Sequence, residues 1–288
     1  MVVLTFLSDS FLTVSNLLNI ARQVSINAVI AAGMTFVILA GGIDLSVGSV
    51  LAFCGAIIAG LLSTGQPLLI GIGSGLLLGA LLGLLNGLVI TKGGVQPFIA
   101  TLGMLTIARG ATLVYTDGRP VTGLPDTFVW LGAGEVARIP VPVIIMALVF
   151  GGAYVILTQT VLGRYIYAIG GNEEAARLSG VNITFYKTLA YVISGALSAL
   201  SGVILTARLN SAQPTAGLGF ELDAIAAVVL GGTTLAGGEG SIGGTLLGAF
   251  IIGVLNNGLN LLNVSSFYQQ VVKGAVILLA VLLDRRLR

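Results

Sequence analysis

The spacing of charged residues constrains this chain more than any other feature of its sequence. Its 288 residues include only 13 Lys and Arg and 11 Asp and Glu. Residues 23–43, 139–163 and 188–207 carry no charge, and residues 45–91 carry none over a length that suffices for two spans. A helix needs about 20 residues to cross the hydrocarbon core of a bilayer. The intervals therefore predict a membrane protein that crosses the bilayer many times.

Composition excludes several function classes. Charged residues make up 8% of the chain and the mean hydropathy is +1.06, whereas soluble domains carry roughly 25% charged residues. The chain has no histidine and one cysteine, Cys54, so histidine-centred catalysis, disulfide frameworks and Cys/His metal sites are not expected. None of its lysines follows a glycine as a Walker A loop requires. We predict no catalytic residue, no metal site and no binding of nucleic acid.

Nine apolar segments after residue 22 predict complete transmembrane helices. They are continuous runs rich in Leu, Ile, Gly and Ala, whereas the strands of a membrane β-barrel would alternate polar and apolar residues. The predicted helices cover approximately residues 24–42, 46–62, 67–90, 97–116, 141–162, 188–206, 222–235, 241–262 and 268–283. The predicted fold is all-α and polytopic, with residues 1–288 forming a single transmembrane domain.

Lys and Arg outside the spans predict the orientation. If Arg285, Arg286 and Arg288 are cytoplasmic, alternation of the nine helices places seven basic residues inside and four outside. The apolar stretch Met1–Leu7 is too short to span and is interpreted as the outer end of a truncated first helix. We therefore expect the natural chain to be longer.

Five glycines recur at every fourth residue of one predicted span and so share one face of the helix. They are Gly71, Gly75, Gly79, Gly83 and Gly87. Such a face lets a second backbone approach closely, so we expect helix packing; a pore lined by small residues is the alternative. The string at 238–243 matches G-x-G-x-x-G but lies between two spans, and we interpret it as a cytoplasmic turn.

The longest predicted cytoplasmic loop, residues 163–187, contains the signals of a short helix. Asn172 is a good N-cap, Glu173 and Glu174 suit the first turn, Arg177 suits the last turn, and Gly180 is a typical stop. A connector between spans needs only a few residues. The loop is therefore predicted to be a docking surface for a cytoplasmic partner, with a solvated connector as the alternative.

Six segments spread along the chain resemble the sugar-importing ABC permeases of the ribose, xylose and arabinose type. They lie at 41–49 (GGIDLSVGS), 96–102, 170–181 (GGNEEAARLSGV), 211–217, 221–233 and 256–262. The resemblance implies a ten-helix permease of the cell inner (cytoplasmic) membrane that imports ribose or a related pentose. It also implies a second permease copy, a periplasmic sugar-binding protein and a cytoplasmic ATPase subunit, which holds the ATP and Mg; no cofactor is expected on this chain.

Resemblance and pattern together give candidate site residues. The coupling segment to the ATPase is assigned to Gly170, Gly171, Asn172, Glu173, Glu174, Ala175, Ala176, Arg177 and Gly180. Gating or the translocation path is assigned to Asp44, Ser46, Asn86 and Asn257. Asp44, between glycines that break a helix, either holds that turn or contacts sugar. Glu221 and Asp223 either pair with Arg208 or form with it a salt-bridge surface for the periplasmic partner. Arg109 and Lys273 either snorkel to water or face the bundle interior, and snorkelling is expected.

An internal similarity suggests an inverted repeat. Asn86-Gly-Leu and Asn257-Gly-Leu each precede a loop and a helix, five helices apart and in opposite directions, so a 5+5 repeat is expected, with chance similarity of apolar helices as the alternative. Three other functions are weighed: a permease for xylose, arabinose or galactose, an ion-coupled transporter with Asp44 as its proton or sodium site, and an intramembrane enzyme. The last would need paired catalytic groups within one span, and none is present.

Overall fold

The computed structural model describes the backbone of residues 11–286 and the side chains of 11–265, 267–276 and 278. The Met1–Leu7 stretch lies outside these residues. The helices are α1 Val14–Leu39, α2 Val47–Ser63, α3 Leu68–Thr91, α4 Pro97–Thr116, α5 Asp126–Ala133, α6 Val141–Gln159, α7 Val161–Gly171, α8 Glu173–Leu178, α9 Ile183–Leu209, α10 Phe220–Leu230, α11 Ile242–Leu261 and α12 Ser266–Arg286. Strands β1 (Glu135–Val136) and β2 (Ile139–Pro140) form a small antiparallel hairpin.

The predicted all-helical membrane fold is confirmed in this coarse form. Within the described part, α1, α3, α4, α6, α9 and α11 are long and apolar enough to cross a membrane, and α2 is a shorter apolar helix. Each of the nine predicted segments coincides with a helix, but α1 begins at Val14 rather than near residue 24. Thr13 caps it by accepting a hydrogen bond from the backbone N–H of Asn16 at 3.3 Å, and Arg22 pairs with Glu135. One charged residue inside the helix hid its first ten residues from a prediction based on charge-free runs.

Helix α9 lies at the centre of the fold, where it packs against α1, α2, α3 and α5. Its closest neighbour is α3, and the five glycines predicted to share one face, Gly71 to Gly87, are all buried on that helix. A methyl group on Gly79 would lie 2.5 Å from the carbonyl oxygen of Gly195 and 2.6 Å from Cβ of Ala199. A methyl group on Gly87 would lie 2.7 Å from Cα of Thr188. The two backbones are therefore in direct contact along the C-terminal half of α3, and we call this contact the glycine seam.

Helix α10 has only 11 residues, about 16 Å at the α-helical rise, and covers roughly half of the hydrocarbon thickness. Residues 210–219 before it are irregular, and Gly217 lies against the backbone of Gly48 in the first turn of α2. Irregular backbone at membrane depth is tolerated only where it is buried in protein or lines a wet cavity. The 210–219 segment therefore reaches into the bundle, and α10 is a half-helix that starts there.

Candidate translocation and coupling sites

Asp44 sits in the break between α1 and α2 and is 1% exposed. Its Oδ1 accepts hydrogen bonds from the backbone N–H of Ser46 at 3.0 Å and from the Ser46 hydroxyl at 2.6 Å. Its Oδ2 accepts one from the Ser194 hydroxyl of α9 at 2.8 Å. The Nδ2 of Asn86 donates to the Ser46 oxygen at 3.0 Å. These four residues, which we call the Asp44 cluster, join α2, α3 and α9.

The geometry of the Asp44 cluster favours the structural interpretation of Asp44. A carboxylate that accepts from the backbone N–H two residues later forms an Asx-turn, and here that turn ends just where α2 begins. Both carboxylate oxygens are already bound by protein groups, and buried polar groups in this state fix a local conformation. A direct contact of Asp44 with sugar would require one of these bonds to break.

Asn257 lies apart from the other three predicted gating residues. It exchanges two side-chain hydrogen bonds with Asn16 at the start of α1, at 2.9 and 3.1 Å. Asn86 and Asn257 do occupy similar places, each buried in the last two turns of a long helix. Their partners differ, so the inverted repeat stays a prediction.

Two charged side chains inside spans do not snorkel to water as expected. Lys273 of α12 forms an ion pair with Asp223 of α10 at 2.9 Å. Arg109 of α4 donates to the carbonyl oxygens of Pro214 and Ala216, both at 2.8 Å, and so holds the 210–219 segment. Snorkelling was therefore the wrong choice and the alternative, contact with the bundle, is what the structure shows. The position of a residue along a span gives its depth but not the segment that faces it.

The three residues assigned to the periplasmic partner surface are not equally accessible. Asp223 is 5% exposed and its ion pair is with Lys273, not with Arg208. Arg208 and Glu221 are half-buried. A role in contacting a binding protein therefore stays a prediction for Arg208 and Glu221, whereas the carboxylate of Asp223 is turned into the protein.

The predicted coupling segment is a pair of helices rather than a loop, because α7 fills residues 161–171 and only α8 and the turns around it match the expected short helix. Asn172 caps α8 by accepting from the backbone N–H of Ala175 at 2.9 Å, and Gly180 adopts φ +83°. Ala176 is the buried residue of α8, packed beside Ile169 and Ile183. The short amphipathic helix is thus anchored on its inner face.

Glu173 ties α8 to the base of the central helix α9. Its carboxylate accepts from Lys187 at 2.8 Å and from Arg177 at 3.0 Å. The hydrogen bond from Lys187, with that from Arg177, holds the pKa of Glu173 below its ordinary value, so the carboxylate stays charged throughout the neutral range. Glu174 instead has a side chain that is 72% exposed. Beside α8, a groove of about 420 Å³ is lined by Thr91, Glu173, Arg177 and Lys187, among others.

Three pairs of neighbouring glycines meet at one end of the bundle. They are Gly41–Gly42 after α1, Gly170–Gly171 at the end of α7, and Gly237–Gly238 before α11. The backbone N–H of Gly238 donates to the Leu39 carbonyl at 3.0 Å. A methyl group on Gly237 would lie 2.9 Å from Gly41 and 3.0 Å from Gly170, both at Cα. We call this contact of three backbones the glycine junction. The G-x-G-x-x-G match at 238–243 begins in it.

Sequence reasoning missed Ser194 as a partner of Asp44 and missed helix α5. The hydroxyl of Ser194 gives no signal in the sequence, because its role depends on which segment faces its helix. Helix α5 has eight residues and opens on Asp126, so no long apolar run marks it.

Comparison with known protein families adds a decisive observation to this geometry. The family model for the branched-chain amino acid transport system permease component matches residues 16–281. The chain belongs to this permease family. The matched region contains the Asp44 cluster, the coupling segment α7–α8 and the half-helix α10.

Individual relatives resemble the chain along nearly its whole length. The ribose import permease protein RbsC of Bacillus subtilis is 58% identical over 99% of this chain and 89% of its own length. That of Haemophilus influenzae is 56% identical over 99% and 90%. The L-arabinose transport system permease protein AraH of Escherichia coli is 40% identical over 96% and 84%. No solved structure matches.

Proposed function

We propose that this chain is the membrane-spanning permease subunit of an ABC importer that moves ribose or a related pentose inward across the cell inner membrane. The main support for this proposal is the sequence identity of 55–58% to ribose import permeases over nearly the full chain. Identity falls to 45% for a D-allose and 40% for an L-arabinose permease. We infer ribose ahead of allose and arabinose on this ranking.

The subunit performs no chemistry of its own. We infer that a separate cytoplasmic ATPase subunit binds ATP and Mg, and that a periplasmic sugar-binding protein delivers the sugar. The described part of the chain contains no cluster of metal-ligating side chains. A pair of permease subunits in lipid, each with nine complete membrane-spanning helices and a 5+5 repeat, completes the proposal.

The test is uptake into proteoliposomes that contain the chain and its ATPase subunit, with the binding protein outside. We expect labelled ribose to accumulate only with ATP inside, with xylose and arabinose transported more slowly. Accumulation driven by a proton or sodium gradient without ATP would instead support the ion-coupled alternative and overturn the ABC assignment.

We further propose that α8 docks into the ATPase subunit. Its caps and its buried Ala176 hold it rigid, the Glu173–Lys187 bond fixes it to α9, and its outer face carries the exposed Glu174. Movement of the ATPase subunit would then reach the central helix directly. The adjacent 420 Å³ groove offers space for a partner side chain.

Reversing the charge of an exposed residue of α8 tests docking without loosening the helix itself. Glu174→Lys reverses an exposed charge without breaking the bond to Lys187, so we expect normal insertion but loss of ATPase pull-down and of ribose uptake. Asp126→Lys, in the first turn of α5 on the predicted periplasmic side, is the matched control and should bind the ATPase normally. Normal ATPase binding and ribose uptake in both Glu174→Lys and Glu173→Lys/Glu174→Lys would show that α8 is a solvated connector and not a docking helix.

A further inference from the structure

A furrow lies beside the glycine seam, towards the C-terminal end of α3. Its volume is about 390 Å³, within the roughly 300–1,000 Å³ that is usual for ligand pockets. Leu84 and Leu88 of α3 form one wall, and Phe185, Leu189 and Val192 of α9 line the other. Because the two helices touch through glycine backbone in the seam, the larger side chains beside the contact leave a hollow between them. We call it the seam furrow.

The seam furrow is about as long as one leaflet of a bilayer. Its α9 wall extends from Asn182 to Val192, about 15 Å at the α-helical rise, and the hydrocarbon core of a bilayer is roughly 30 Å thick. Leu84 and Leu88 are half-buried, and Phe185 is 56% exposed. Both α3 and α9 are long and apolar enough to cross a membrane. A soluble partner does not enter the hydrocarbon, so an occupant of this furrow comes from the membrane.

One end of the seam furrow carries a positive charge and a further hydrogen-bond donor. Lys92 at the end of α3 is exposed and, within the described part of the chain, forms no ion pair. Asn182 accepts with its Oδ1 from the backbone N–H of Phe185 at 3.0 Å, which leaves the two protons on its Nδ2 to donate to an occupant. No carboxylate is present among the described residues that line the furrow. This end therefore suits an anionic group such as a phosphate.

The groove beside α8 does not neutralise this charge. It adjoins the seam furrow, because Asn182 and Thr184 line both. The one carboxylate in its described lining, that of Glu173, already accepts hydrogen bonds from Lys187 at 2.8 Å and Arg177 at 3.0 Å. With Lys92 included, the linings of the two hollows contain three basic residues and one acidic residue.

A second permease copy is the other occupant that a membrane offers, and the charge of Lys92 disfavours it. Two copies related by a two-fold axis bury the same patch of each subunit. An axis through the seam furrow would bring two Lys92 ammonium groups together, and such a juxtaposition of like charges is repulsive. A phospholipid with a negative head group meets no such penalty.

We propose that the seam furrow binds an anionic phospholipid, with an acyl chain between α3 and α9 and its phosphate at Lys92 and Asn182. Basic pockets between membrane helices on the cytoplasmic side bind anionic head groups, and Lys92 is predicted to lie on that side. The chain covers the place where the hydroxyls of Thr91 and Thr188 meet at 3.1 Å, next to the attachment of α8. The inference does not depend on the cargo, so it goes beyond the proposed function and stands or falls separately.

Fluorescence quenching by brominated lipids tests the site. Trp130 is the one tryptophan of the sequence, so Trp130→Phe/Phe185→Trp carries its only indole in the seam furrow. The full chain is reconstituted in phosphatidylcholine vesicles that contain increasing fractions of either phosphatidylglycerol or phosphatidylcholine brominated on the acyl chains. We expect half-maximal quenching at an about fivefold lower fraction of the anionic lipid, which is the preference that one Lys gives near an anionic lipid surface.

Two charge variants in the reporter background identify the source of this preference. Lys92→Gln should abolish it, whereas Arg164→Gln, at an exposed basic residue in the first turn of α7 and outside the furrow, should keep it. A second reporter, Trp130→Phe/Leu88→Trp, places the indole on the α3 wall and should show the same preference, also when the first reporter does not assemble.

Three results would overturn the proposal. They are equal quenching by the two lipids when Lys92 is present, a preference that survives in Lys92→Gln, and an indole in the furrow that neither lipid quenches. The last result is the one expected if a second permease copy covers this surface.

Discussion

The two sides of α9 bury polar atoms in opposite ways. Towards α2 and α3, the helix packs backbone to backbone through Gly195, and its Ser194 is one of several donors to the buried carboxylate of Asp44. Towards α10, α11 and α12, it borders a cavity of about 270 Å³ in whose wall the buried carboxylate of Asp223 is held mainly by its ion pair with Lys273. One buried carboxylate is therefore fixed by neutral donors and the other by an opposite charge.

The packed side should be the less tolerant of added volume. Gly79→Leu places a branched side chain where Gly195 and Ala199 already touch, so we expect α3 and α9 to separate and the protein to be lost from membranes. Gly73→Leu, on the same helix with nothing within 4 Å of its added Cβ, should accumulate normally. Immunoblots of membrane fractions measure both. Normal assembly and transport of Gly79→Leu would show that the seam is a lining of small residues and not a packing contact.

Removing the Asp44 carboxylate tests whether the closed cluster is structural. Asp44→Ala leaves the Ser46 and Ser194 donors unpaired at about 1–3 kcal/mol each, so we expect low yield and a lowered Tm in detergent. Asp44→Asn keeps an acceptor for the turn and should assemble much better. If Asp44→Asn folds normally but no longer transports ribose, the carboxylate acts in gating or sugar contact.

The stability that the Asp223–Lys273 ion pair contributes should depend on both of its partners. Lys273→Met leaves Asp223 buried and unpaired, and loss of one partner of a buried pair costs about 3–5 kcal/mol; partial exposure of Lys273, at 28%, places the effect near the lower value. We expect Asp223→Asn/Lys273→Met to regain the Tm. Full ribose uptake by the double variant would show that the pair only stabilises the helices.

The smallest effect is expected from Ser194→Ala. It removes one of the three hydrogen bonds to Asp44, worth about 1.5–3 kcal/mol for a charged acceptor. Ser74→Ala, on the exposed face of α3, provides the control. A Tm for Ser194→Ala equal to that of the control would mean that the Asp44 turn holds without α9.

The sequence predicted the helices of this fold better than their partners. Long charge-free runs identify spans because a charge in the bilayer core is costly unless it is paired or hydrated, so few charges occur there. Charge-free runs do not reveal short elements such as α5, nor the part of α1 that precedes Arg22. The caps of α8 were predictable because Asn172 and Gly180 act within one turn of chain.

Contacts between distant segments were not predictable in the same way. Pairing of Lys273 with Asp223, and of Arg109 with the 210–219 backbone, depends on which helices become neighbours. The five groove glycines showed that one face of α3 meets another backbone, yet only the structure identifies α9 as its main partner. The cavity between α9 and α10–α12 has no sequence signal, since lining residues such as Asn27 and Asn256 are single polar residues 229 positions apart.

The glycine junction gives the bundle a mechanical property. Where side chains separate two segments, rotamer changes can absorb a small displacement; where backbones touch, nothing between them can yield. The end of α7 touches both the turn after α1 and the loop before α11 through glycine backbones. A displacement of α7 and α8 is therefore transmitted almost undiminished to the start of α11 and to the turn that holds Asp44.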